Sequence, residues 1–143
     1  MESWKRAALL GVLVGLAHTV VRLLVLDSVT VGPSGPRNSL VLWTLATTVL
    51  SLAVVPGLAL YGGWSMDTDT THSWPGLAAA VAIGTGVGIV VSYPLLTAVS
   101  VGAPLSETLQ GWLVGTYVVN ALGPSVHAGV GALAGLLLAE RPV

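Results

Sequence analysis

The chain has no cysteine, no phenylalanine and one lysine, and only 8% of its 143 residues carry charge. Without cysteine there is no disulfide framework, so a stapled secreted module is excluded. An average soluble domain is roughly 25% charged. The 11 Lys, Arg, Asp and Glu residues here cannot cover the surface of a water-soluble globule of this size. Disorder is excluded too, because its marks are low hydrophobicity and high net charge, and this chain is 54% hydrophobic with a net charge of -1. Five Lys+Arg against six Asp+Glu leave no basic patch for nucleic acid. What remains is an integral membrane protein, with a mean hydropathy of +0.88.

The charges that exist fall between long apolar runs. No formal charge separates Arg6 from Arg22, Arg37 from Asp67, Asp69 from Glu107, or Glu107 from Glu140. These intervals predict four spans, at about residues 7–26, 39–62, 76–101 and 112–139. Each reaches the roughly 20 residues needed to cross a hydrocarbon core. Lipid offers the backbone no hydrogen-bond partners, so the spans are helices. Nor is there the short apolar/polar alternation of a membrane β-barrel. The expected fold is therefore all-α: an integral membrane four-helix bundle forming a single domain over residues 1–143.

The connectors support these boundaries. Gly32-Pro33-Ser34-Gly35-Pro36 is a breaker run, and Asp67-Thr68-Asp69 with His72 forms the most polar stretch. That stretch has too few oxygen ligands for a calcium loop and no second His or Cys for zinc, so it reads as a solvated connector. Ser106-Glu107 predicts the cap of a short interfacial helix. The five tryptophans, at 4, 43, 64, 74 and 112, all stand near a span boundary, where indoles prefer the headgroup level. Met1–Arg6 followed by Ala7–Ala17 has the look of a cleaved leader, but the apolar run resumes after Arg22 and reaches Leu26, which suits a span better. Lys5, Arg6 and Arg141 lie on one side and Arg37 on the other, predicting both termini in the cytoplasm. The Ala-, Gly- and Val-rich composition, poor in Lys, Ile and Asn, fits GC-rich coding and a prokaryotic plasma membrane.

Glycine is abundant, at 18 residues, and G-x-x-x-G occurs at Gly11/Gly15, Gly84/Gly88, Gly111/Gly115 and Gly131/Gly135. Glycine at this spacing lets a second helix backbone approach, so all four pairs are expected to serve helix packing, inside the chain or between copies. Pro56, Pro94 and Pro124 fall inside spans and predict kinks. Pro124 also frees the carbonyl of Asn120, whose own amide and Ser125 suggest a small polar cavity.

Polar side chains inside the spans are the candidates for function. His18 and His127 lie at matching distances from the same face, 11 residues after Ala7 and 12 before Ala139, which predicts a common depth and, if the first and fourth spans are neighbours, facing rings. Arg22 follows His18 by one turn, with Asp27 and Glu107 on the side where they can pair with it. His18, Arg22, Asn120 and His127 are thus the expected ligand or proton path. Imidazole pairs on antiparallel helices can also ligate haem, or line a quinone site, which is the alternative reading. The primary expectation is no cofactor and no metal site. No Ser nucleophile with a base, paired intramembrane carboxylates or H-E-x-x-H appears, so no enzyme is expected. Small multidrug exporters share four short spans but need an intramembrane carboxylate, and none lies in these spans. The reading that remains is a transport-related or accessory subunit with a polar seam. Its expected partners are the bilayer and a homo-oligomer or larger membrane complex; a ligand-free assembly partner is a third reading.

Overall fold

In a computed structural model, residues 3–30, 41–42, 45–46, 48–49, 53–66 and 73–139 are described. Every regular element among them is helical: α1 Ser3–Thr30, α2 Val55–Trp64, α3 Trp74–Val101, the short α4 Leu105–Thr108 and α5 Gly111–Ala139. Three of these, α1, α3 and α5, are long and apolar enough to cross a membrane. Their bounds agree with the first, third and fourth predicted spans to within a turn or so. α1 overshoots its predicted end at Leu26, continuing to Thr30. The second predicted span is described only in part. Residues 41–42, 45–46 and 48–49 are helical, 53–54 form a π-turn, and α2 begins at Val55. With only 10 residues, α2 alone is too short to cross. The Asp67–Asp69 and His72 connector lies outside the described residues.

Pro56 stands in the first turn of α2. Val54 before it is itself helical, with φ -72° and ψ -45°, and 53–54 are π-helical, so the helical backbone is distorted at the place where a kink was expected. Pro94 and Pro124 do lie inside continuous helices. α3 ends at Gly102 with φ 68°, the left-handed C-cap that a side chain would strain. The predicted short helix follows, but Pro104, not Ser106, occupies its cap position, with Glu107 in the first turn.

Contacts at the glycines give the helix directions. Gly11 meets Gly84 and Gly15 meets Gly88, so α1 and α3 run parallel. Gly131 meets Pro56 and Gly135 meets Leu60 and Trp64, so α2 and α5 are also parallel. Gly86 meets Ser125 and Gly129 meets Ala82, which makes α3 and α5 antiparallel. The order around the bundle is α1, α3, α5, α2.

Two glycine seams hold this arrangement. A methyl at Gly84 would stand inside the carbonyl of Ala8 and 3.1 Å from the Cα of Gly11. One at Gly11 would stand inside the carbonyl of Val81 and 2.8 Å from the amide of Thr85. In the second seam a methyl at Gly131 would lie 2.8 Å from the Cα of Pro56, and one at Gly135 2.8 Å from the amide of Trp64. Water cannot drive helices together inside lipid, so backbone-close van der Waals contact of this kind is the main cohesive force available. A compact apolar core fills the half of the bundle that holds Trp4, Trp64 and Trp74. It comprises Ala7, Val14, Val55, Ala59, Leu77, Val81, Ala128, Ala132 and Leu136. Outward faces are apolar as well: Val99 is 81% exposed, and Ile83 and Val119 are each 68% exposed. A surface of that kind belongs in hydrocarbon.

Candidate functional site

The first glycine seam continues into hydroxyls. One turn beyond Gly15 comes Thr19, and one turn beyond Gly88 comes Ser92, both buried. Ser92 Oγ donates to Thr19 Oγ1 at 2.8 Å, and Thr19 Oγ1 donates to the Gly15 carbonyl at 3.0 Å. The two helices are therefore joined by a chain of hydrogen bonds just where the glycines stop. His18 lies beside this pair, 5% exposed, and its Nδ1 is buried without a hydrogen-bond partner. Buried polar atoms are rarely left in this state.

Arg22 is one turn further along α1. Its guanidinium carbon stands 5.4 Å from the ring centroid of Tyr93 on α3, a cation–π contact. Tyr93 in turn packs on Tyr117 of α5, centroids 5.0 Å apart and tilted by 38°. Thr97 Oγ1, one turn above Tyr93, is buried and has no partner either. His18, Thr19, Ser92, Arg22, Tyr93 and Tyr117 thus form a polar row linking α1, α3 and α5. It occupies the half of the bundle opposite the apolar core. Such a row can hold a proton, a water or a small polar solute at its unsatisfied atoms.

The four residues expected to share one path are not gathered in one place. The α1–α3 register, fixed by Gly11 on Gly84 and Thr19 on Ser92, sets His18 level with Val91. The α3–α5 register, fixed by Gly86 on Ser125 and Tyr93 on Tyr117, sets Val91 level with Asn120, and Gly84 level with His127. His127 is therefore level with Gly11 and seven residues below His18, roughly 10 Å along the axis. The expected common depth assumed equal ends for α1 and α5. The glycine contacts, not the ends, set the register, and they offset the rings. His127 Nδ1 is also buried without a partner, but as a separate feature. Imidazoles offset by this much do not fit opposite faces of one haem iron. Among the described residues no three His, Cys, Asp or Glu side chains gather around a common point.

Asn120 is level with His18 but faces outward from α5. Beside Pro124, Ser125 Oγ donates to the Ala121 carbonyl at 2.6 Å, and the adjoining groove is apolar. The glycine pairs divide as well. Gly11/Gly15, Gly84/Gly88 and Gly131/Gly135 are packed against backbone, whereas among the described residues nothing lies within 4 Å of a methyl added at Gly111 or Gly115.

Thr19, Ser92, Tyr93 and Tyr117 escaped the sequence reading. A signal existed: Gly11-x-x-x-Gly15-x-x-x-Thr19 and Gly84-x-x-x-Gly88-x-x-x-Ser92 extend each glycine stripe by one small polar residue, pointing to a hydroxyl pair. For the tyrosines there was only their place inside apolar spans, where a phenol needs a partner. Comparison with protein-family models, with curated proteins and with solved structures gives no match.

Proposed function

We propose that this chain is a small four-pass protein of a prokaryotic plasma membrane, with both termini in the cytoplasm. It acts as a transport-related or accessory subunit and not as an enzyme. The four-pass reading is supported by helix direction. α1 and α3 run the same way, so the chain between them must return across the bilayer, and α2, which runs against both, is the end of that return. The helical pieces at 41–49 belong to its first half.

The observation that carries the function is the row of buried polar groups on His18, Thr19 and Ser92, flanked by Arg22. Polar groups at this depth are costly and concentrate where something polar is passed or held. Reconstitution into vesicles loaded with a pH-sensitive dye tests the transport arm. The expected result is proton or small-anion permeation above that of protein-free vesicles, reduced in His18→Ala and Arg22→Gln. Permeation equal to protein-free vesicles would remove transport and leave the accessory role.

A specific observation favours the assembly side of the same reading. Asn120 presents an amide on the outer face of α5. Amides exposed to hydrocarbon favour helix association. Photo-crosslinking from position 120 in native membranes is expected to capture a second copy or another membrane protein. Capture of lipid alone would refute assembly through this face.

A further inference from the structure

Between α3 and α5, on the side away from the polar row, runs an open groove of about 280 Å³. Its floor is made of small residues, Gly86, Ala121 and Ser125, and its walls include Val87, Val91, Val118 and Leu122. The floor is fixed by close contact, since a methyl added at Gly86 would lie 2.9 Å from Ser125 Oγ. The one hydroxyl in the lining is spent on the Ala121 carbonyl. The groove therefore offers water at most the acceptor side of one hydroxyl, where water needs two to four partners, and water will not fill it.

We propose that this groove is a binding site for the end segment of one phospholipid acyl chain. Three observations select that occupant. The first is the mouth, whose walls face outward: Val87, Val91, Val118 and Leu122 are 51%, 55%, 45% and 60% exposed. The second is depth. Gly86–Val91 lies in the middle of Trp74–Val101, hence near the centre of the bilayer, where only chain ends and no headgroups are found. The third is size. A cavity of about 150 Å³ accepts benzene, so this groove has room for roughly ten to twelve carbons of a straight chain. A helix entering the groove would need a row of small residues of its own, whereas a flexible chain conforms to a narrow cleft between valine ridges.

This site differs from the general lipid annulus in what it does to chain motion. Annular chains are most mobile at their ends; a chain held here is restrained at its end. Vesicles containing the full chain and a phosphatidylcholine with a nitroxide near the chain terminus read this directly by electron paramagnetic resonance. The expected spectrum has a motionally restricted component equal to about one chain per protein. The double variant Val87→Trp/Val118→Trp, whose indoles occupy the groove from its exposed walls, is expected to lose that component. Val130→Trp, on the outward face of α5 beyond the groove, is expected to keep it. Each single variant should lose part of it, which keeps the test decisive if the double variant does not fold. A phosphatidylcholine labelled near the glycerol should report no difference among the variants. A restricted chain-end component that is absent, or equally strong in wild type and the groove variants, overturns the proposal.

Discussion

The parallel seam between α1 and α3 makes a quantitative prediction about single methyl groups. Gly84→Ala places a carbon against the Ala8 carbonyl and 3.1 Å from the Cα of Gly11. Both neighbours are backbone, so neither can rotate away, and the helices must part. Overpacking ordinarily costs about 1–3 kcal/mol where side chains can adjust. A gap of about 1 Å also forfeits between a quarter and a half of the dispersion well along the contact. The expected loss is therefore about 3 kcal/mol or more. Gly115→Ala is the contrasting case. Nothing lies within 4 Å of the new methyl, and alanine favours helix over glycine by about 0.8–1.0 kcal/mol. Gly62→Ala falls between, because its nearest neighbours are atoms at the end of the Leu10 side chain, with Leu10 Cδ1 at 2.7 Å, and that side chain can swing aside. Unfolding in mixed micelles by titration with sodium dodecyl sulfate, followed by circular dichroism at low protein concentration, should rank the variants in that order. Gly84→Ala and Gly115→Ala should be separated by about 4 kcal/mol. Equal stabilities for the two would refute the seam.

Other expectations concern the polar row and the topology. In a double-mutant cycle, Thr19→Val and Ser92→Ala should couple by about 0.6 kcal/mol, up to about 1.7, the range of hydrogen bonds between membrane helices; additive effects would mean the 2.8 Å contact contributes nothing. Protein purified from cells supplied with haem should be colourless in the Soret region. A Soret band shifting on reduction and lost in both His18→Ala and His127→Ala would contradict the register that separates the rings. Ser73→Cys and Ser106→Cys, at opposite ends of α3, should react with an impermeant maleimide from opposite sides. Ser106 should label in intact cells and Ser73 only after permeabilisation; the reverse pattern would put the termini outside.

Much of this arrangement was legible in the sequence, and the reasons differ by feature. Span positions follow from where charge is missing, a one-dimensional property, so α1, α3 and α5 lie where expected. Glycine spacing showed that close helix contacts exist, but spacing is blind to direction. Gly111/Gly115 has the same pattern as Gly84/Gly88, yet only the latter meets another backbone. Which face of α5 turns inward depends on how Gly131, Gly135 and Ser125 seat against α2 and α3, a three-body choice with no local signature. That choice sent Asn120 outward. It also determined the offset between His18 and His127, because register between helices is set by contacts in the middle of a span and not by its ends. Arg22 was expected beside Asp27 or Glu107, and the side chain of Asp27 lies outside the described residues. Its contact with the Tyr93 ring could not be anticipated without knowing that α3 is the neighbour.

The pairing of parallel helices also bears on how the chain is made. α1 finds its partner in α3 and α2 in α5, so neither glycine seam joins helices that follow one another in the chain. During synthesis the first crossing has emerged, with Ala8, Gly11 and Gly15 ready, long before Gly84 and Gly88 exist. At about 5–20 residues per second, that wait lasts several seconds. A nascent chain stopped after α2 would hold two helices with their tightest surfaces both unmatched. The arrival of α3 lets α1 settle, and that of α5 does the same for α2.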